Sequence, residues 1–153
     1  MKEIKMKKII LGFLVLLLAA CSFGTTEFSR NQEKWENSKI THYRYHLSVS
    51  CFCGYLDWMP LTIEVQNAEI ISITTVQDNV IAERDPNYEY FAQYATIDNL
   101  FTELKGDLNG NVDQVTAVYD PTYGFPMQIN IDAMKDAVDD ELYLRVTKFE
   151  VLP

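Results

Sequence analysis

Residues 41–54 read T-H-Y-R-Y-H-L-S-V-S-C-F-C-G, and the fold follows from their alternation. Tyr43, Tyr45, Leu47, Val49, Cys51 and Cys53 fall on one parity, while His42, Arg44, His46, Ser48 and Ser50 fall on the other. A repeat of two is the side-chain period of an extended strand, so this stretch predicts one long, half-buried strand with an apolar and a polar face.

Working downstream, Leu61, Ile63 and Val65 alternate with Thr62, Glu64 and Gln66. After a tight Asn67-Ala68 link the β-rich character resumes from Glu69 to Val76, which predicts a hairpin. Asp85-Pro86 is suited to opening a short helical turn through the aromatic run 88–94, Y-E-Y-F-A-Q-Y. Thr96 then caps a helix that presents Ile97, Leu100, Phe101 and Leu104 on one face and is expected to end at Gly106. Three further strands are expected, at about 112–119, 127–131 and 142–151. The first two are joined by D-P-T-Y-G-F-P (120–126), where Asp120-Pro121 opens a turn, Gly124 takes positive φ and Pro126 starts a strand. Upstream, Ser29-Arg30-Asn31-Gln32 has the form of a capping box, with a short polar helix to about Ser38 anchored by Trp35. The order is helix, three strands, helix, three strands, without alternating β-α-β crossovers. That predicts an α+β fold: an antiparallel sheet of about six strands with two or three helices packed on one face.

The amino terminus supplies an address. Lys2, Lys5, Lys7 and Lys8 precede an unbroken apolar run, 9–20, which is too short to span ~30 Å of hydrocarbon, for which about 20 residues are needed. L-A-A before Cys21 completes the layout of a lipoprotein signal peptide cleaved ahead of a lipidated cysteine. The expected organisation is therefore 1–20 as signal peptide, 21–29 as lipidated tether and 30–153 as one α+β domain. The expected site is the cell membrane or outer membrane, with the domain outside the cytoplasm. Loss of residues 1–20 removes four Lys and one Glu, moving the formal net charge from −9 to −12. Such acidity opposes affinity for phosphate backbones, so nucleic acid is not an expected partner. Nine Tyr, eight Phe and two Trp supply a large apolar core.

Chemistry-bearing residues are few. Cys51 and Cys53, in an oxidising compartment, are expected to bridge or to bind metal. On a regular strand residues i and i+2 lie ~6.6 Å apart, so a disulfide requires a bend that Gly54 could permit. The pair is then either structural, as a local disulfide or a buried thiol pair at a strand end, or redox-active. A zinc site would recruit His42 and His46, but strand parity sets these opposite the cysteines, and no metal site is assigned. With two His in the chain, no catalytic set is assigned either. Asp107, Asn109, Asn111 and Asp113 alternate like the start of a calcium loop, yet its sixth and twelfth positions are Val112 and Val118, not Gly and Glu. Asp136, Asp139, Asp140 and Glu141 form a second acidic cluster. The remaining candidate is the loop Tyr123, Gly124, Phe125 and Pro126, expected either to display its aromatics to a partner or to pack them onto the core.

Trp35, H-Y-R-Y-H-L (42–47), C-F-C-G (51–54), T-I-D-N-L-F (96–101), Y-D-P-T-Y-G-F-P (119–126), I-N-I-D (129–132) and D-D-E (139–141), taken together, resemble an uncharacterised bacterial lipoprotein family, domain of unknown function family 6174. The resemblance spans roughly 31–151 and implies a small secreted or lipid-anchored α+β protein, with no cofactor, activity or catalytic residue attached. The function expected is that of a lipid-anchored, non-enzymatic envelope protein that binds an envelope protein partner or plays a structural part. The alternative is a thiol/disulfide redox or metal-binding protein using Cys51 and Cys53.

Overall fold

The computed structural model describes residues 26–153, so Cys21, the segment expected to be a signal peptide and most of the expected tether lie outside the described residues. Among the described residues are three α-helices and six strands: α1 (Glu27–Ser38), β1 (His42–Ser50), β2 (Leu61–Gln66), β3 (Glu69–Thr74), α2 (Tyr88–Ala92), α3 (Ile97–Asn109), β4 (Gln114–Tyr119), β5 (Pro126–Asp132) and β6 (Glu141–Val151). The strands form one antiparallel sheet in the order β3-β2-β1-β6-β5-β4. Two three-strand meanders thus meet along β1 and β6, the longest strands, in the α+β architecture expected. No helix of the described residues is long and apolar enough to cross a membrane.

The period of two in β1 translates directly into burial. Tyr43, Tyr45, Leu47 and Val49 are buried beneath the helices with Leu61, Ile63 and Val65 of β2, while His42, Arg44, His46 and Ser48 line the opposite, helix-free face. α3 adds Ile97, Leu100, Phe101 and Leu104, and its Thr96 cap accepts the Asn99 amide at 3.0 Å. Buried tyrosines keep their hydroxyls satisfied: Tyr43 accepts from the Ile97 amide at 3.1 Å, and Tyr45 donates to the Tyr94 carbonyl at 3.2 Å. Trp35 packs edge-on against Tyr43, Phe125 and Phe149, with its indole N–H on Asp98 at 3.2 Å, and so ties α1 to α3 and the sheet.

Several boundaries differ from expectation. α1 begins at Glu27, because Thr26 is its cap and accepts from the Ser29 amide at 3.1 Å; Ser29 lies inside the first turn. α3 runs through Gly106 to Asn109, since a helical glycine costs only about 1 kcal/mol against Ala; its buried face ends at Leu104, and Leu108 is half exposed. β3 ends at Thr74. Asn67 and Ala68 both take positive φ, the requirement of a two-residue hairpin turn. In β6 a bulge opposite Tyr45, with Lys148 at φ 48°, returns Phe149 to the helix side.

Candidate functional site

The two ends of the sheet are built differently. At one end lie the Asn67-Ala68 turn, the 120–125 hairpin and the last residues of the chain. Here Asp120 Oδ1 accepts from the amides of Thr122 and Tyr123, and Gly124 adopts φ 83°. That turn folds the loop onto α1: a Cβ on Gly124 would stand 2.5 Å from the Asn31 carbonyl oxygen, and Lys34 Nζ donates to the Pro121 carbonyl. Phe125 is consequently only 2% exposed, 4.5 Å from the ring of Phe149, and Pro126 is buried. Of the two alternatives for this loop, Phe125 and Pro126 take the second and pack onto the core. Trp35 and Phe149 supply a pocket for the ring, leaving Tyr123 half-buried at its edge.

At the other end β1, β3 and β5 finish and β2, β4 and β6 begin. β1 stops at Ser50, and the chain bends through Cys51, Phe52, Cys53 and Gly54, the last at φ 73°. This brings the Cα atoms of Cys51 and Cys53 to 5.2 Å, and the two are joined as a disulfide. The cysteines therefore lie beyond the strand on which parity placed them. The Tyr90 hydroxyl of α2 stands 3.2 Å from Cys51 Sγ and 3.8 Å from Cys53 Sγ. Tyr90 belongs to an aromatic cluster with Tyr55, Trp58 and Phe91, and Tyr55 donates to Asn87 at 2.9 Å. Burial first, then the neighbouring Tyr55, pushes the Tyr90 hydroxyl above its usual range, so it stays protonated and available as a donor. The aromatic run 88–94 was legible only as a short helical turn; its place beside the cysteines depends on contacts some 37 to 39 residues apart.

The bridged loop presents Phe52 with 83% of its surface open, and Leu56 follows at 78%. The 133–140 loop rises between the adjacent strands β5 and β6 and adds Met134 at 61% and Val138 at 82%. Its backbone is held by the Met134 amide donating to Asp140 Oδ2 at 2.7 Å, with Asp136 and Asp139 in the left-handed region. At its foot an open cleft of about 400 Å³ on the helix-free face is lined by Gln114, Thr116, Asn130, Ile131, Asp132 and Glu141. Desolvation, and then the charges of Asp140, Asp113, Glu141 and Asp136, raise the Asp132 carboxyl above its ordinary range. The field at this end is acidic.

The other sequence candidates are engaged elsewhere. His42 sits at the opposite end of β1 from the cysteines, 2.7 Å from the Pro153 carbonyl and 3.1 Å from Glu64 Oε1, and both contacts raise its pKa. Arg44 holds Glu64 at 2.6 Å and Glu150 at 3.2 Å, and with His42 it keeps the Glu64 carboxyl below its usual range. His46 is shifted down by burial and by Lys148. Asp107 and Asn109 belong to the last turn of α3, where the Asn109 amide donates to the Lys105 carbonyl.

A family model for a family of unknown function, DUF6174, matches residues 27–151. The chain belongs to the DUF6174 family. The match begins with the first residue of α1 and ends with the last of β6, so the DUF6174 unit comprises both meanders, the bridged loop and the acidic end. No curated protein matches the chain.

Proposed function

We propose that this DUF6174 protein is a lipid-anchored cell-envelope protein, held to a membrane through lipid on Cys21, whose domain acts by binding another envelope protein and not by catalysis. One observation carries the binding reading: a cross-linked loop places a phenylalanine, Phe52, 83% open to solvent. Single apolar side chains on a surface are ordinary, whereas contiguous apolar patches mark interaction sites. Phe52, Leu56, Met134 and Val138 stand on two loops that leave neighbouring strands at the same end of the sheet. The tether rests on the lysine-rich start, the apolar run 9–20 and L-A-A-C at 18–21.

Growth with an alkyne fatty acid tests the anchor. Label is expected in the wild-type chain and lost in Cys21→Ser; an unlabelled cytosolic wild-type chain overturns that part. Native electrophoresis of detergent extracts tests the binding: a complex containing the wild-type chain is expected to disappear in Phe52→Ser, and a wild-type chain running alone overturns it.

A second reading, thiol–disulfide exchange with a dithiol protein, is favoured by the Tyr90 hydroxyl beside both sulfurs. A partner thiolate would attack Cys53 Sγ and form a mixed disulfide, while the bridge electrons leave on Cys51 Sγ, where Tyr90 donates a hydrogen bond. The partner's second thiolate would then release Cys53, leaving the bridge reduced and the partner oxidised to a disulfide. Reduction by glutathione should be slower in Tyr90→Phe; equal rates remove this reading.

A further inference from the structure

The binding reading leaves the partner's chemistry open, and the distribution of charge narrows it. Segments 51–60, 75–91, 110–113 and 133–140 lie at the end of the sheet that carries the apolar tips and hold nine Asp and Glu against Arg84 and Lys135. At the opposite end, segments 39–41, 67–68, 120–125 and 152–153 hold Lys39 and Asp120, which cancel. The acidity of the domain is therefore not spread evenly but gathered at the end that carries Phe52, Leu56, Met134 and Val138. Apolar tips in a negative field suit a counterpart that is apolar at its centre and positive around it.

We infer that this end of the sheet docks a cationic protein surface bearing an exposed apolar side chain, the loop tips making the apolar contact and the surrounding carboxylates meeting the charge. This rests on the binding reading above and specifies its partner. The cleft at the foot of the 133–140 loop lies at the same end of the sheet and offers a basic side chain the carboxylates of Asp132 and Glu141 and the amides of Gln114 and Asn130. Other occupants fit worse. An anionic lipid surface or a nucleic acid would meet like charge, which opposes approach. A second copy docking through the same patch would set each acidic rim against its twin, as a two-fold contact requires.

Fluorescence anisotropy with the full mature chain in neutral detergent provides the test, using labelled peptides of alternating Lys and Leu, Glu and Leu, or Lys and Ser. The Lys-Leu peptide is expected to bind best. Phe52→Ser should weaken it about tenfold or more, as an anchor contact does. Asp136→Asn with Asp139→Asn, which asparagine's tolerance of positive φ permits, should weaken it and flatten its salt dependence. Equal binding of the Glu-Leu peptide, or Lys-Leu binding indifferent to Phe52→Ser, overturns the inference. So does insertion into anionic phosphatidylglycerol vesicles, read as a blue shift of Phe52→Trp emission. A native complex lost in Phe52→Ser without recognition of cationic peptides defeats only the partner's chemistry. Absence of any Phe52-dependent complex defeats the binding reading itself.

Discussion

Replacing both Cys51 and Cys53 by Ser decides what the bridge is for. The two are separated by two positions, so the closed loop contains three residues. Loop-closure entropy for such a loop amounts to about 1.6 kcal/mol at 25 °C, against about 3 for a fifteen-residue loop. The rest of the segment keeps its attachments without the bridge. The Trp58 carbonyl accepts from the Val76 amide at 3.0 Å, Tyr55 donates to Asn87, the Val49 amide meets Met59 Sδ at 3.3 Å, and Tyr55 and Trp58 pack on Phe91. Urea unfolding of the double variant should therefore remain cooperative with an unchanged slope and lose about 1–2 kcal/mol, well within the 5–15 kcal/mol typical of a domain. Hydrogen exchange should accelerate at 51–54 and little elsewhere, while the Lys-Leu peptide binds more weakly because Phe52 is no longer held in place. A loss above about 3 kcal/mol, or a broadened transition, would identify the bridge as a staple of the fold and refute its assignment to display.

Other substitutions probe the opposite end and the helix-free face. Gly124→Ala forces an L residue to φ 83° with its Cβ 2.5 Å from the Asn31 oxygen; the left-handed conformation alone costs roughly 1–2 kcal/mol, so thermal unfolding should show a loss of at least about 2. Phe125→Ala should cost about 3–5 kcal/mol, as for other buried aromatics, and Tyr123→Ala only about 1. Comparable losses would return Phe125 to the surface. In NMR titrations His42 should titrate above 6.5 and His46 below it, with Glu64→Gln drawing His42 back down. The sign for stability follows. The contribution from His42 is full below pH 6.5 and fades as pH rises through its raised native value, whereas that from Glu64 is full above about 4.5 and fades as pH falls through its lowered one.

What the sequence made legible was local. The parity of β1, the Asn67-Ala68 turn, the Thr96 cap and the apolar face of α3 each depend on residues within a few positions, where a single repeat or side-chain oxygen decides the conformation. The features left open or misplaced depend on distant partners. Phe125 is buried because a bulge at Lys148 turns Phe149 to the helix side, and a period of two read along β6 cannot announce that slip. Cys51 and Cys53 continue the β1 alternation in letters, yet pairing with β6 stops at Ser50, opposite Tyr143, and the bend at Gly54 takes them out of register. Tyr90 reaches the sulfurs only because the aromatic run folds back across the end of β1.

Phe52 and Phe125 both sit one or two residues from a glycine with positive φ, in turns at opposite ends of one sheet, and their fates differ completely. At the hairpin, Trp35 and Phe149 provide rings for Phe125 to join. At the bridged loop, two cysteines flank the middle residue and turn inward toward Tyr90, so the side chain between them points outward whatever its identity. The exposure of position 52 therefore follows from the cross-link, and only the choice of residue calls for a further cause. A polar side chain would satisfy the geometry at no cost in hydration, whereas Phe forgoes roughly 1.5–3 kcal/mol that burial would return. Nothing in the packing of the described residues recovers that energy. A partner that covers the tip would recover it, and the carboxylates gathered at the same end favour a positive one over a negative one.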